Sequence, residues 1–269
     1  MIMADSSYSQ ESPQAVLQKG NEYYLKGEFD KAVEFYTDYL GSFPQNIDVL
    51  NFRGLSYLAM KDYPKAIQDF TSAIGVKRSS SMSYVYRASA YISQNNFPAA
   101  NQDCEDALFY DVNNIEAYYM QNFLFLKGGQ YERSLVTLEK AIALEPKSAR
   151  GYFMKAITHT FEQDTNKIFE NVNEGLSWDS TYFQKDNKKD LVFVRYDRYK
   201  FAIDLFTQQI QNNPKGYLPY FSRGMIYYMM GNYDMAYDDL KKSLELNKAQ
   251  TKLITEATNR LIRACYRVN

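Results

Sequence analysis

Between Pro13 and Leu40 the apolar residues fall into two stripes with helical spacing. Val16, Gly20, Tyr23 and Tyr24 share one face of a first helix, and Ala32, Val33, Tyr36 and Leu40 share one face of a second, with the polar turn Lys26-Gly27-Glu28 between them. The layout then recurs every 34 residues, seven copies in all, without an insertion. One column is mostly small: Gly20, Gly54, Ala88, Asn122, Ala156, Asp190 and Gly224. Three places on, nearly every residue is aromatic: Tyr23, Tyr57, Tyr91, Phe125, His159, Phe193 and Tyr227. A third column reads Ala32, Ala66, Ala100, Ser134, Ile168, Ala202 and Ala236, and a fourth Phe29, Tyr63, Phe97, Tyr131, Thr165, Tyr199 and Tyr233. Small residues fall where two antiparallel helices cross and let their backbones approach. The rings fill the space between one unit and the next. Pro44, Pro146 and Pro214 close second helices, while Arg78, Val112, Ser180 and Lys248 hold the same place without a ring.

A 34-residue unit with these columns resembles the tetratricopeptide repeat, a helix-turn-helix unit. The resemblance runs from Pro13 to about Gln250 and implies an all-α fold, a right-handed α-solenoid stabilised by interfaces between neighbouring units. The expected repeats are 13–46, 47–80, 81–114, 115–148, 149–182, a degenerate 183–216, and 217–250, after a polar tail, 1–12. A capping helix at 251–269 follows, with Leu253, Ile254, Ala257, Leu261, Ala264 and Cys265 on its apolar stripe and Arg260, Arg263 and Arg267 largely off it. The sixth unit departs most. Its first helix is expected from Gln184 to Tyr196, with Lys185, Lys188 and Lys189 beside Asp186 and Asp190. It reads as a divergent repeat that survives through Phe193, Ala202, Phe206 and Pro214, or alternatively as a hinge.

Composition narrows the function classes. A net charge of −1 gives no chain-wide positive field, so nucleic acid is not an expected partner. Cys104 and Cys265 form neither a disulfide framework nor a metal-ligand spacing, and no cofactor is implied. Apolar runs such as Met225 to Met230 are far short of a membrane span, and Met1 to Ser12 has no signal-peptide pattern, so the expected location is cytoplasmic, or exported if a signal has been removed. The lone histidine, His159, stands in the aromatic column and reads as packing. The acidic clusters around Asp103 and Asp239 read as a wet outer face. Without a phosphate loop, nucleophile elbow or metal motif, no enzyme is indicated.

In arrays of the resembled family, first helices line an inner surface along which partners lie. That stripe includes Asn21, Asn51, Phe52, Tyr86, Tyr119, Met120, Phe123, Phe153, Met154, Phe221 and Met225. Some of these side chains pack against the adjacent first helix. Phe52, Tyr86, Met120, Phe123, Phe153 and Met154 together form the expected apolar band, the kind of surface that marks an interaction site, with methionines adding adaptability. The basic carboxylate clamp that some family members use is absent, since Leu17, Phe52, Met82 and Tyr86 stand at its places. The expected function is therefore a non-enzymatic scaffold or adaptor that binds a peptide or amphipathic segment of a partner protein. The alternatives are a homo-oligomeric structural protein and a chaperone or assembly factor for secreted or envelope proteins.

Overall fold

The computed structural model describes residues 12–162, 164–178, 192–247 and 252–266, and their side chains except at 192–198, 201, 252–254 and 266. Among the described residues every regular element is a helix. Two compact units divide within one helix, after Met120. The first holds α1 (Pro13–Lys26), α2 (Phe29–Ser42), α3 (Ile47–Ala59), α4 (Tyr63–Val76), α5 (Ser81–Ser93) and α6 (Phe97–Tyr110), and α7 (Ile115–Lys127) crosses the boundary. The second holds α8 (Tyr131–Leu144), α9 (Ala149–Glu162), α10 (Thr165–Trp178), α11 (Val192–Asn212), α12 (Tyr217–Met229), α13 (Tyr233–Leu246) and α14 (Lys252–Tyr266). The all-α stack of helix pairs expected from the sequence is the observed fold.

Helix ends repeat with the same period as the cores. The residue that ends a first helix takes a left-handed backbone at Gly27, Lys61, Asn95, Gly129 and Gly231, with φ between 59° and 76°. The next residue but one opens the following helix, and Asp62, Asn96 and Asp164 accept from the backbone N–H three residues on. First helices are opened by a second polar column: Ser12, Asn46 and Asn114 accept in the same way from Ala15, Val49 and Ala117. Second helices stop at Ser42, Leu144 and Asn212, two residues before a proline, but also at Val76 and Tyr110 without one. The proline is therefore an accessory stop signal.

The sixth unit corrects the expected pattern. No turn interrupts Val192–Asn212, so the anticipated helix Gln184 to Tyr196 does not end where the period places its end. Its turn slot is Asp197-Arg198, with neither a glycine to turn left-handed nor a capping acceptor at the second place, and Arg198 is a good helix former. Tyr199, Ala202 and Phe206 are buried on this helix, as the columns required. Gln184, Lys185, Asp186, Asn187, Lys188, Lys189, Asp190 and Leu191 lie outside the described residues, as do the tail before Ser12, Ser180, Lys248 and Arg267. The side chains of Phe193, Leu253 and Ile254 are likewise outside them.

Close helix crossings hold the pairs together. A Cβ on Gly54 would sit 2.6 Å from Phe70 Cε1, and one on Gly20 would sit 2.8 Å from Tyr36 Cε1. The small column thus leaves room for a large ring from the second helix. Asn122 occupies this column with a different solution. Its Nδ2 donates to Ser134 Oγ at 2.6 Å, and Ser134 Oγ lies 3.2 Å from Thr158 Oγ1, all of them buried. Two deviations from the repeat, one in the small and one in the alanine column, therefore compensate each other.

A periodic ion-pair clip ties neighbouring units. Arg53 Nε and Nη2 donate to the two oxygens of Asp69 at 2.8 and 2.7 Å, and Nη1 donates to Thr37 Oγ1 of the preceding unit at 3.1 Å. Arg87, Asp103 and Thr71 repeat this geometry, as do Arg223, Asp239 and Thr207. The guanidiniums of Arg87 and Arg223 each lie over two tyrosine rings, Tyr84 and Tyr91 in one case and Tyr220 and Tyr227 in the other. Asp103 and Asp239 are buried, which corrects the wet-face reading of these two acids. Hydrogen bonding to the carboxylates raises all three arginine pKa values, whereas burial outweighs Arg87 and pushes the Asp103 carboxyl up. Such a pair adds little net stability over apolar residues of the same size, but removing one partner is costly because it strands the other's charge.

Candidate binding surfaces

In the first unit, part of the expected groove is open. The Phe52 ring stacks on Tyr36 at 6.1 Å and meets Tyr24 edge-on at 5.5 Å, yet Phe52 remains 38% exposed. Leu17, Asn21, Tyr24, Met82 and Tyr86 are half-buried. Tyr86 lies against Phe70, and Asn21 Oδ1 accepts from the Tyr36 hydroxyl at 2.9 Å. α3 and α5 touch, so the outer edge of this row presents rings while its inner edge is packing. Asn51 belongs to the inner edge: it is buried, and its Oδ1 accepts from Ser83 Oγ at 3.0 Å. Tyr119 and Met120 are also buried, and Ser89 Oγ lies 3.9 Å from Met120 Sδ.

The second unit overturns the expectation of an exposed band. Phe123, Phe153, Met154, Phe221 and Met225 are all buried, Phe153, Phe221 and Met225 completely. For the residues of α9 and α12 the reason is a change of neighbour: α9 packs directly on α12, and α10 packs on α14. Phe153 meets Tyr228 at 6.1 Å, and Phe169 of α10 meets Phe221 at 4.7 Å. Arg260 of the cap donates to Asn173 Oδ1 of α10 at 2.9 Å, so the terminal helix covers α10 as well as the last pair. Ala257, Leu261, Ala264 and Cys265 are buried beneath it, and burial pushes the Cys265 thiol up to about 11.

This rearrangement leaves a cavity of about 640 Å³ among the ends of α7 and α9, the middle of α11 and the start of α12. Tyr131, Phe161, Phe206 and Tyr217 contribute rings to its wall, with Lys127 and Ser222 the polar groups of most interest. Burial lowers the pKa of Lys127, whose Nζ stands 6.0 Å from the Phe123 ring centre. Ser222 is fully buried, and its Oγ has no hydrogen-bond partner. Sequence reading missed this site, because its wall is assembled from helices of different repeats whose meeting no 34-residue period encodes.

His159 is buried in the aromatic column, and its Nδ1 lies 2.7 Å from Glu162 Oε2. Cys104 is buried and not part of a disulfide. Among the described residues no three His, Cys, Asp or Glu side chains gather to hold a metal, and no helix is long and apolar enough to cross a membrane.

Comparison with known proteins bears on this geometry. The tetratricopeptide repeat family matches residues 13–46 and 218–249, the first and last expected units. No curated relative matches by sequence. Among solved structures, a tetratricopeptide repeat protein from Parabacteroides merdae is similar with a TM-score of 0.54 at 18% identity, over 93% of this chain and 98% of that one. MamA from Desulfovibrio magneticus gives 0.54 at 14% identity, over 69% and 99%. A further MamA structure gives 0.52 at 21% identity, over 59% and 93%. At such identities the likeness is one of fold.

Proposed function

The chain is a tetratricopeptide repeat protein, and from that premise we propose that it is a non-enzymatic scaffold binding an apolar or amphipathic segment of a partner protein along the first-helix face of its first unit. Tyr24, Phe52, Met82 and Tyr86 are the anchors of this reading. The observation that carries it is the exposure of Phe52, a ring held between two other rings and still 38% accessible. Burying the remaining exposed part of each anchor stabilises a complex by about 0.5–1 kcal/mol, a fraction of the roughly 1.5–3 kcal/mol for a side chain covered from full exposure. Four together supply about 2–4 kcal/mol, part of an association cost of roughly 4–15 kcal/mol, and the bound segment's own hydrogen bonds and flanking contacts supply the rest. Phe123 and Phe153, central in the sequence reading, are no longer anchors, because a buried ring has nothing left to offer a partner.

The test is to pan displayed random peptides against the parent protein and against a Phe52→Glu, Tyr86→Glu variant of equal helicity. Enrichment of apolar-rich peptides by the parent alone is the expected result. Equal enrichment by both, or none by the parent, sinks the assignment. Sedimentation at several concentrations shows whether a second copy is what the face receives.

A further inference from the structure

We propose that the cavity of the second unit is a binding site for a small apolar carboxylate, an aryl or medium-chain aliphatic acid, whose anionic end meets Lys127, Ser222 and the first turn of α12. The size is that of a ligand pocket, within the roughly 300–1,000 Å³ such sites occupy. Three observations converge on an anion with an apolar body.

The first is charge. Among the described lining residues Lys127 is a cation, and none is an Asp or Glu. The second is backbone. Gly216 opens α12 without a side chain to cap it, no acid stands in the first turn, and Gly216, Tyr217 and Leu218 all line the cavity. A helix start whose N–H groups lack a side-chain cap favours negative charge. The third is Ser222, a fully buried hydroxyl without a partner. A buried donor left unmade costs free energy that a ligand oxygen would recover. The rings of Phe161, Phe206, Tyr131 and Tyr217 supply the wall for the apolar body. Fatty or aryl acids fit this mixture better than inorganic phosphate, which would leave those rings facing water.

The site lies wholly in the second unit, so it stands or falls apart from the proposed peptide-binding face. Titration calorimetry and saturation-transfer NMR with 3-phenylpropionate and octanoate test it, with 3-phenylpropionamide as the neutral control. The expected result is saturable binding of an acid, at least tenfold weaker binding of the amide, and a loss of about tenfold or more in Lys127→Gln, the size expected for a charge-assisted hydrogen bond. Ser222→Ala, with unchanged thermal unfolding, loses a smaller factor. Lys127→Arg keeps binding, which separates loss of charge from loss of fold, and Phe52→Glu leaves acid binding intact. The proposal is overturned if neither acid saturates up to about 10 mM, if the amide binds as well as the acid, or if Lys127→Gln, folded as the parent is, binds as the parent does.

Discussion

The two units share one repeat pattern and use it differently. In the first, each first helix follows its predecessor, the Arg53 and Arg87 clips tie successive pairs, and Phe52 keeps a third of its surface in water. In the second, only the last pair keeps a described clip, at Arg223, while Gln121 and Lys155 stand in the arginine column before it, and Lys155 Nζ reaches an exposed Glu139 at 3.6 Å. There α9 packs on α12, and the residues equivalent to the open row become interior. A place in the repeat decides which face of a helix a residue occupies. Whether that face is wet depends on which helix comes next to it.

The largest expected effect breaks this contrast at its centre. Phe153→Glu puts a carboxylate where no solvent reaches and removes a ring whose loss alone costs about 3–5 kcal/mol. With the added cost of burying charge, the total rivals the roughly 5–15 kcal/mol that holds a domain folded. Phe52→Glu, at a half-open place, costs about 1–2 kcal/mol and acts mainly on binding. Urea unfolding followed by circular dichroism measures both. If Phe153→Glu keeps the parent midpoint, the closed packing of the second unit is wrong and the original groove returns.

The next effect contrasts the clips. Arg87→Met leaves the buried Asp103 unpaired and costs about 3–5 kcal/mol, whereas Lys155→Met, at a surface pair, costs about 0–1 kcal/mol. Burial already holds the Asp103 carboxyl above its ordinary value with Arg87 present, and removing the arginine raises it further. A carboxyl with a raised folded pKa favours folding when protonated. Its contribution is fully present below the ordinary value of about 3.9 and is lost as pH rises through the raised one. The Arg87→Met deficit is therefore largest at neutral pH and shrinks toward pH 4, read as the difference in urea midpoint from the parent. A deficit that grows on acidification overturns the assignment of burial as the dominant cause.

The sequence carried most of the fold because repeat geometry is written in residue size. Gly54 opposite Phe70 and Gly20 opposite Tyr36 are legible as columns in the residue order alone. The clip was legible too, since Arg53, Arg87 and Arg223 each precede an aspartate by 16 residues, but acids near an alanine column resemble a solvated face until their partners are placed. The capping series Ser12, Asn46 and Asn114 was likewise in view. Burial of Phe153 and Phe221 was not. It follows from α9 meeting α12, a contact between helices two units apart in sequence, which no local period encodes. The cavity had the same origin.

The smallest effect is a change of sign at one column. Lys61 and Asp197 stand at the same place in the second and sixth units, but Lys61 is left-handed, at φ 62°, while Asp197 lies inside α11. A left-handed backbone costs a side-chain-bearing residue roughly 1–2 kcal/mol relative to glycine, part of which returns as unfolded-chain entropy when glycine is introduced. Lys61→Gly should therefore stabilise by about 0.5–1 kcal/mol. Asp197→Gly has no such strain to relieve and weakens a helix interior, by about 0.3–0.5 kcal/mol on helix propensity. Thermal unfolding of the two variants reads the signs as shifts of roughly 1–4 °C in opposite directions. If Asp197→Gly raises the melting temperature as Lys61→Gly does, the helix breaks there in solution, and the sixth unit is a regular helix pair whose turn the sequence conceals.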